Sequence, residues 1–211
     1  MRIPFLTSLV IASLSFLLTA CSESFTDSRD GQSYDVVKIG GLTWMAENLN
    51  YATEASACPD GDSRNCKRLG RLYTWAEAKT VCPEGWRLPT KSDFALLLAH
   101  PHDDNLGVVS NKVGAKLKSR DGWFKKGNGS DEFGFNALPA GYRGAISKAN
   151  DGAIVGGKFD GIGGYAYFWS ATEDPENPES NAYYLFLSFS SDAASLNAFA
   201  KEDFRSVRCV R

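Results

Sequence analysis

The chain has 211 residues, with 23 lysines and arginines against 25 aspartates and glutamates, and a net charge of −2. That balance excludes the basic field that nucleic-acid binding needs, so no nucleic acid is expected as a partner. The length suits one domain with a core of its own.

The first element is an export signal. Arg2 precedes an apolar run from Ile3 to Leu18, and Leu18-Thr19-Ala20-Cys21 closes it. A charged start, an apolar stretch and a small residue before the cut describe a secretory signal. Phe5 to Ala20 is shorter than the roughly 20 residues a spanning helix takes, and Pro4 sits at its edge. The segment resembles the signals of bacterial lipoproteins. That resemblance implies removal of residues 1–20 and acylation of Cys21 through a thioether-linked diacylglyceride and an amide-linked third chain. Several acyl chains hold a protein lastingly where one does not. Membrane lipid is therefore an expected partner and the bacterial cell envelope the expected location. Ser22 after the anchor, rather than Asp, favours the outer membrane. Loss of Arg2 takes the charge from −2 to −3. Residues 21–33 follow, and SESFTDSRDGQS is too poor in apolar side chains to bury surface. It reads as a tether spanning on the order of 20 Å, with the globular domain at 34–211.

Beyond Cys21 four cysteines remain, Cys58, Cys66, Cys82 and Cys209. An even number in an exported chain reads as two disulfides, with three connectivities open in principle. Cys58 and Cys66 enclose a polar loop, PDGDSRN, which makes a local bridge natural and leaves Cys82 to meet Cys209. Zinc is the competing reading, but its ligand pairs sit two to four residues apart, and these do not. No cofactor and no metal are expected. Asp60 and Asp62 read as a plain polar turn, because Arg64 stands where a calcium loop needs oxygen ligands.

Val36 to Ile39, Gly40-Gly41 and Leu42 to Trp44 read as a hairpin whose paired glycines supply the positive φ of a two-residue turn. Trp75 to Val81 reads as a helix with Trp75, Ala78 and Val81 on one face, stopped by Pro83 and Gly85. Thr90 caps a second helix, Asp93 completes an approximate capping box, and Phe94, Leu97 and Leu98 form its buried stripe before Pro101. A third spans Val113 to Lys118. Strands follow from Trp123 onward: one at Phe168-Trp169, an apolar run from Tyr183 to Phe189 covered on both faces, and a closing strand from Ser206 to Val210.

Between Gly141 and Gly164 lie eight of the twenty glycines. A stretch of this length without structure of its own is a binding loop or a mobile one. Within it, Gly152 to Phe159 matches a P-loop except that Phe159 replaces the magnesium-holding hydroxyl, and Gly161 to Ala166 matches a dinucleotide fingerprint without a strand-to-helix unit. Both read as coincidence. His100 and His102 flank Pro101 in a surface turn beside Asp103 and Asp104. Neither a Gly-x-Ser-x-Gly elbow nor a His-Glu-x-x-His pair occurs, and the chain is not expected to be an enzyme.

Six segments occur in order: VVKIGGLTWMAENLNY (Val36 to Tyr51), GRLYTW (Gly70 to Trp75), CPEGWRLPT (Cys82 to Thr90), FGFNALPAGYR (Phe133 to Arg143), FWSATE (Phe168 to Glu173) and SVRCVR (Ser206 to Arg211). Together they resemble the Fibrobacter succinogenes major paralogous domain, a family of exported lipoproteins of unassigned activity. GWRLPT and FWSAT are also similar to formylglycine-generating enzymes and to other C-type lectin-like domains. This resemblance implies an α+β fold: two short helices flanking curved antiparallel sheets, long glycine-rich loops, a disulfide staple and chain ends brought together. The calcium and sugar motifs of lectins are absent, with Glu176-Asn177-Pro178 in the wrong order and YYLFLSF on the later strand. Trp75, Trp86, Leu88, Pro89 and Trp169 read as core. Arg87 reads as a buried tie between loops, held by carboxylate or carbonyl partners.

The functional expectation is a surface binding or adhesion module for a polysaccharide or an envelope protein, with Tyr142, Phe159, Tyr165 and Tyr167 as the contact residues. Aromatic faces stack on sugar rings and protein side chains alike. The competing reading has each ring pinning the loop to the core. The alternative functions are an envelope scaffold that contacts neighbouring proteins and a formylglycine-generating-enzyme-like enzyme.

Overall fold

The computed structural model describes residues 23–99, 112–149 and 153–211. Cys21, His100, His102 and Gly152 lie outside them. Strands β1 (Ser24–Thr26), β2 (Ser33–Ile39) and β3 (Leu42–Met45) make an antiparallel sheet in that order. The β2–β3 hairpin is as expected: Ile39 pairs with Leu42, and Gly40 and Gly41 turn the chain at φ 61° and 83°. The expected tether is corrected, because residues 24–33 belong to the fold. Backbone pairing with β2 places Ser24 opposite Asp35, Phe25 packs on Trp86 at 5.1 Å, and Asp27 is buried with Arg29 at 2.6 Å. One aromatic ring and the bond that Arg29 donates to the Val81 carbonyl anchor a segment that composition alone describes as solvated.

Helix α1 (Ser63–Leu69) begins within the stretch read as a polar loop. Asp62 caps it by accepting from the Arg64 N–H, and Cys66 and Leu69 are its buried residues. Strand β4 (Leu72–Tyr73) leads to α2 (Trp75–Ala78), a single turn with a Thr74–Glu77 capping box. It is shorter than the helix expected to Val81, since the Thr80 and Val81 N–H groups converge on the Glu77 carbonyl, yet Trp75, Ala78 and Val81 are all buried. Helix α3 (Lys91–Ala99) follows, with Thr90 and Asp93 bonded reciprocally at 3.1 and 2.7 Å and Phe94 and Leu97 buried. Helix α4 (Val113–Leu117) closes the helical part.

The glycine-rich stretch is a two-tier ribbon rather than an irregular loop. Strand β5 (Ala140–Arg143) pairs with β8 (Phe159–Ile162), and β6 (Ile146–Lys148) pairs with β7 (Ile154–Gly156) beyond it. No helix follows either phosphate-like pattern, since their described residues lie on β7, β8 and the turn into the next strand.

Strands β9 (Tyr165–Glu173), β10 (Asn181–Ser188), β11 (Ala194–Ala200) and β12 (Arg205–Ser206) complete a five-stranded sheet of order β11-β10-β9-β12-β4. The expectation for Tyr183 to Phe189 is corrected. On β10 Leu185 and Leu187 are fully buried, while Tyr184 and Phe186 on the opposite face are only half-buried. An antiparallel strand presents two faces at period two, and here one is covered.

The closing strand is also shorter than expected. Only Arg205 and Ser206 form a ladder, and the chain beyond runs extended, bridging Trp44 and Arg87 at Val210. The N–H groups of Met45 and Leu49 donate to the carbonyls of Cys209 and Val207. The C-terminal segment is thus held between the N-terminal sheet and the start of the helical part. The architecture is mixed α+β, dominated by sheet, with few short helices and two disulfides, Cys58–Cys66 and Cys82–Cys209. Trp75, Trp86, Leu88 and Trp169 are buried in one cluster with Cys209, and Pro89 is buried beside them.

Two buried carboxylates make this assembly acid-sensitive. Bonds from Arg29 hold Asp27 below the usual 3.8. Burial pushes Asp93 up, but the bonds from Arg87 and Thr90 together outweigh it and hold that carboxyl down as well. A depressed folded-state pKa contributes stability above the unfolded value and loses it as pH falls through and below that value. The melting temperature is therefore expected to drop as pH falls below 3.8. Asp27→Asn with Asp93→Asn, melted across the same pH series, is expected to flatten that slope.

Candidate functional site

On β9, alternation sends Tyr165, Tyr167 and Trp169 to the face opposite the buried Ala166 and Phe168. The β9–β10 register sets Phe186 against Tyr167 and Tyr184 against Trp169, which brings the rings of both strands together. Ring centroids lie 5.8 Å apart for Tyr165 and Phe186, stacked, 5.1 Å for Tyr167 and Phe186, and 5.7 Å for Tyr167 and Tyr184. Tyr142, carried over by β5, meets Tyr167 edge to face at 5.4 Å. Phe189 extends the row past Tyr165 at 6.1 Å, and Phe124 extends it further at 6.3 Å. Phe124 is 53% exposed.

Arg205 underlies this face. Its guanidinium lies 4.3 Å from the centre of Trp169 and 4.5 Å from that of Tyr184, and pairs with Asp203 at 3.1 Å. Burial pushes its pKa down, with Asp203 acting against that shift. A planar cation between two rings fixes their tilt as well as its own place. Above it, none of the phenols of Tyr142, Tyr165, Tyr167 and Tyr184 makes a hydrogen bond among the described residues. Burial, with the neighbouring tyrosines, raises the Tyr167 phenol, which stays protonated.

Three of the four expected contact residues, Tyr142, Tyr165 and Tyr167, therefore share one surface. Phe159 does not. It packs in a separate cluster with Leu69, Leu72 and Phe204, with the Arg143 guanidinium 5.3 Å from its ring. There it pins the ribbon to the body, as the competing reading holds. Sequence reasoning missed Tyr184, Phe186 and Arg205. The signal for the first two is the alternation in YYLFLSF, which puts aromatics on one side and leucines on the other.

The other residues singled out have local roles. Asp62 caps α1 and meets Arg64 at 2.6 Å, and Asp60 turns the chain at φ 54°. Arg87 bonds Asp93 at 2.6 Å and bridges Val210 through its backbone, so it does tie segments together, although its side chain is 48% exposed rather than buried. No group of three or more His, Cys, Asp or Glu among the described residues could hold a metal. Among the same residues, no helix is long and apolar enough to cross a membrane. Grooves of about 510 and 690 Å³ lie beside Trp75 and Tyr51, away from the aromatic face. In the first, the Lys201 ammonium is already held by Glu173 and the Pro178 carbonyl.

The Fibrobacter succinogenes major domain (Fib_succ_major) matches residues 37–211, nearly the whole described fold. The chain belongs to this family. Comparison with curated proteins and with solved structures yields no match. Within the domain, the match begins on β2 and ends at the C-terminus, so it takes in the five-stranded sheet, both disulfides and every ring of the aromatic face.

Proposed function

We propose that this domain is an exported binding module, held at the cell envelope by acylated Cys21, that takes a neutral polysaccharide on the face built by Tyr142, Tyr165, Tyr167, Tyr184 and Phe186. The observation that carries the reading is the clustering of half-buried rings from β5, β9 and β10, whose four phenols make no hydrogen bond among the described residues. A sugar ring is amphipathic in the same way, with C–H faces that stack on aromatics and hydroxyls that bond to phenols at the edges. The charged groups set into the face, Arg205 and Asp203, neutralise each other, which favours an uncharged ligand. Formylglycine-type oxidation needs reactive thiols, whereas Cys58, Cys66, Cys82 and Cys209 are spent in bridges. A lectin-like arrangement belongs to the same proposal, supported by the C-terminal segment lying against the strand of Thr43 and Met45.

Binding of the chain to a panel of insoluble and soluble polysaccharides tests this reading. Tyr165→Ala and Phe186→Ala are each expected to weaken binding about tenfold, or about 1.4 kcal/mol, with melting followed in parallel to exclude unfolding. Binding to envelope proteins that both substitutions leave unchanged, with no polysaccharide bound, would replace it with the scaffold reading.

A further inference from the structure

The two edges of the five-stranded sheet differ. At one, β4 is closed by a bridge between Ala57 and Leu72. At the other, among the described residues, no strand pairs with the outer side of β11. An edge of this length presents a row of free N–H and C=O groups, and proteins ordinarily blunt such edges with a charge, a proline or a bulge. β11 has none of these. Its sequence is ASLNAFA, and its register with β10 runs unbroken from Ala194 opposite Leu187 to Ala200 opposite Asn181. Ser195, Asn197 and Phe199 are exposed, the last by 57%.

We propose that β11 is a self-pairing edge: two copies of the chain join their sheets through an antiparallel β11–β11 ladder whose two-fold axis passes at Asn197. The occupant is a second copy because a strand without charge lies beside itself with no like-charge repulsion, and an antiparallel ladder is self-complementary under a two-fold axis. Only an axis at Asn197 pairs the whole strand, with Ala194 opposite Ala200, Ser195 opposite Phe199 and Leu196 opposite Ala198. The two Asn197 amides then meet across the axis, and each exposed Phe199 gains a neighbour.

The consequence follows from the register. Asn197 stands opposite Tyr184 and Ser195 opposite Phe186, so the outward row of β11 shares the aromatic face. Residues directly opposite in an antiparallel pair point to the same side. Both aromatic faces therefore look the same way on one continuous sheet, the arrangement in which two weak contacts to a repeating ligand reinforce each other. The pairing rests on the edge alone and stands whether or not the ligand is a polysaccharide.

Light scattering of the full chain in detergent, with micelle mass subtracted, is expected to give twice the chain's mass. Asn197→Lys, which sets two ammonium groups against each other, is expected to give a folded monomer that still melts cooperatively, at a temperature no longer dependent on protein concentration. Under mild oxidation Asn197→Cys is expected to cross-link to itself. Ser195→Cys and Phe199→Cys are expected to cross-link only when mixed. A monomeric unsubstituted chain, or a dimer that Asn197→Lys leaves intact, would overturn the proposal.

Discussion

Replacing Cys82 and Cys209 together by alanine is expected to lower the melting temperature by about 10–20 °C, the largest effect of any pair in the chain. The bridge closes a separation of 127 residues, against 8 for Cys58–Cys66. On the chain-entropy model the long loop is worth about 5 kcal/mol and the short one about half that. The long bridge also joins the end of the α2 region to the last segment of the chain, where Cys209 is fully buried. A domain's whole stability is about 5–15 kcal/mol, so its loss removes a large share. Calorimetry of the two paired variants checks the order: removal of the short bridge is expected to cost clearly less.

Arg208→Met is expected to cost about 3 kcal/mol or more, since each buried acceptor left unsatisfied costs about 1–3 kcal/mol. Arg208 is fully buried among Phe135, Phe168 and the C-terminal segment and makes no ion pair among the described residues. Its guanidinium donates to the Met45, Phe135 and Asn136 carbonyls and to the Asn48 side-chain oxygen at 2.7 Å. One residue thereby joins β3, the segment after it, the loop before β5 and the C-terminus. Burial pushes its pKa down to about 9, which still leaves it charged at neutral pH. Methionine fills the volume but takes the Arg208 donors from three buried acceptors and one part-buried one, and such groups cost more than the bond itself was worth. Arg208→Lys keeps the charge yet cannot spread it over four acceptors at fork geometry, so an intermediate loss is expected in chemical denaturation.

The parts of the fold legible in the sequence are those set by local chemistry. Gly40-Gly41 dictates its turn, Thr90 and Asp93 dictate a helix start, and the polar loop between Cys58 and Cys66 places one bridge. What stayed hidden depends on contacts far along the chain. Phe25 and Arg29 order a polar segment only because Trp86 and the Val81 carbonyl receive them. β11 has no β-branched residue, and its place comes from its pairing with β10. For the candidate site, Tyr142, Tyr165 and Tyr167 were legible as aromatics among glycines. Their union with Tyr184 and Phe186 required the β9–β10 register, which no local signal encodes. Phe159 looked equivalent to them and faces a different cluster.

On the proposed function, the rings of β9 and β10 carry the ligand. Saturation-transfer NMR, with the protein's aromatic protons irradiated in the presence of a bound polysaccharide, tests it most directly. Saturation is expected on the sugar-ring protons, and it is expected to disappear when Tyr165 and Phe186 are both replaced by alanine in a chain that still melts cooperatively. Undiminished transfer in that double variant would contradict it.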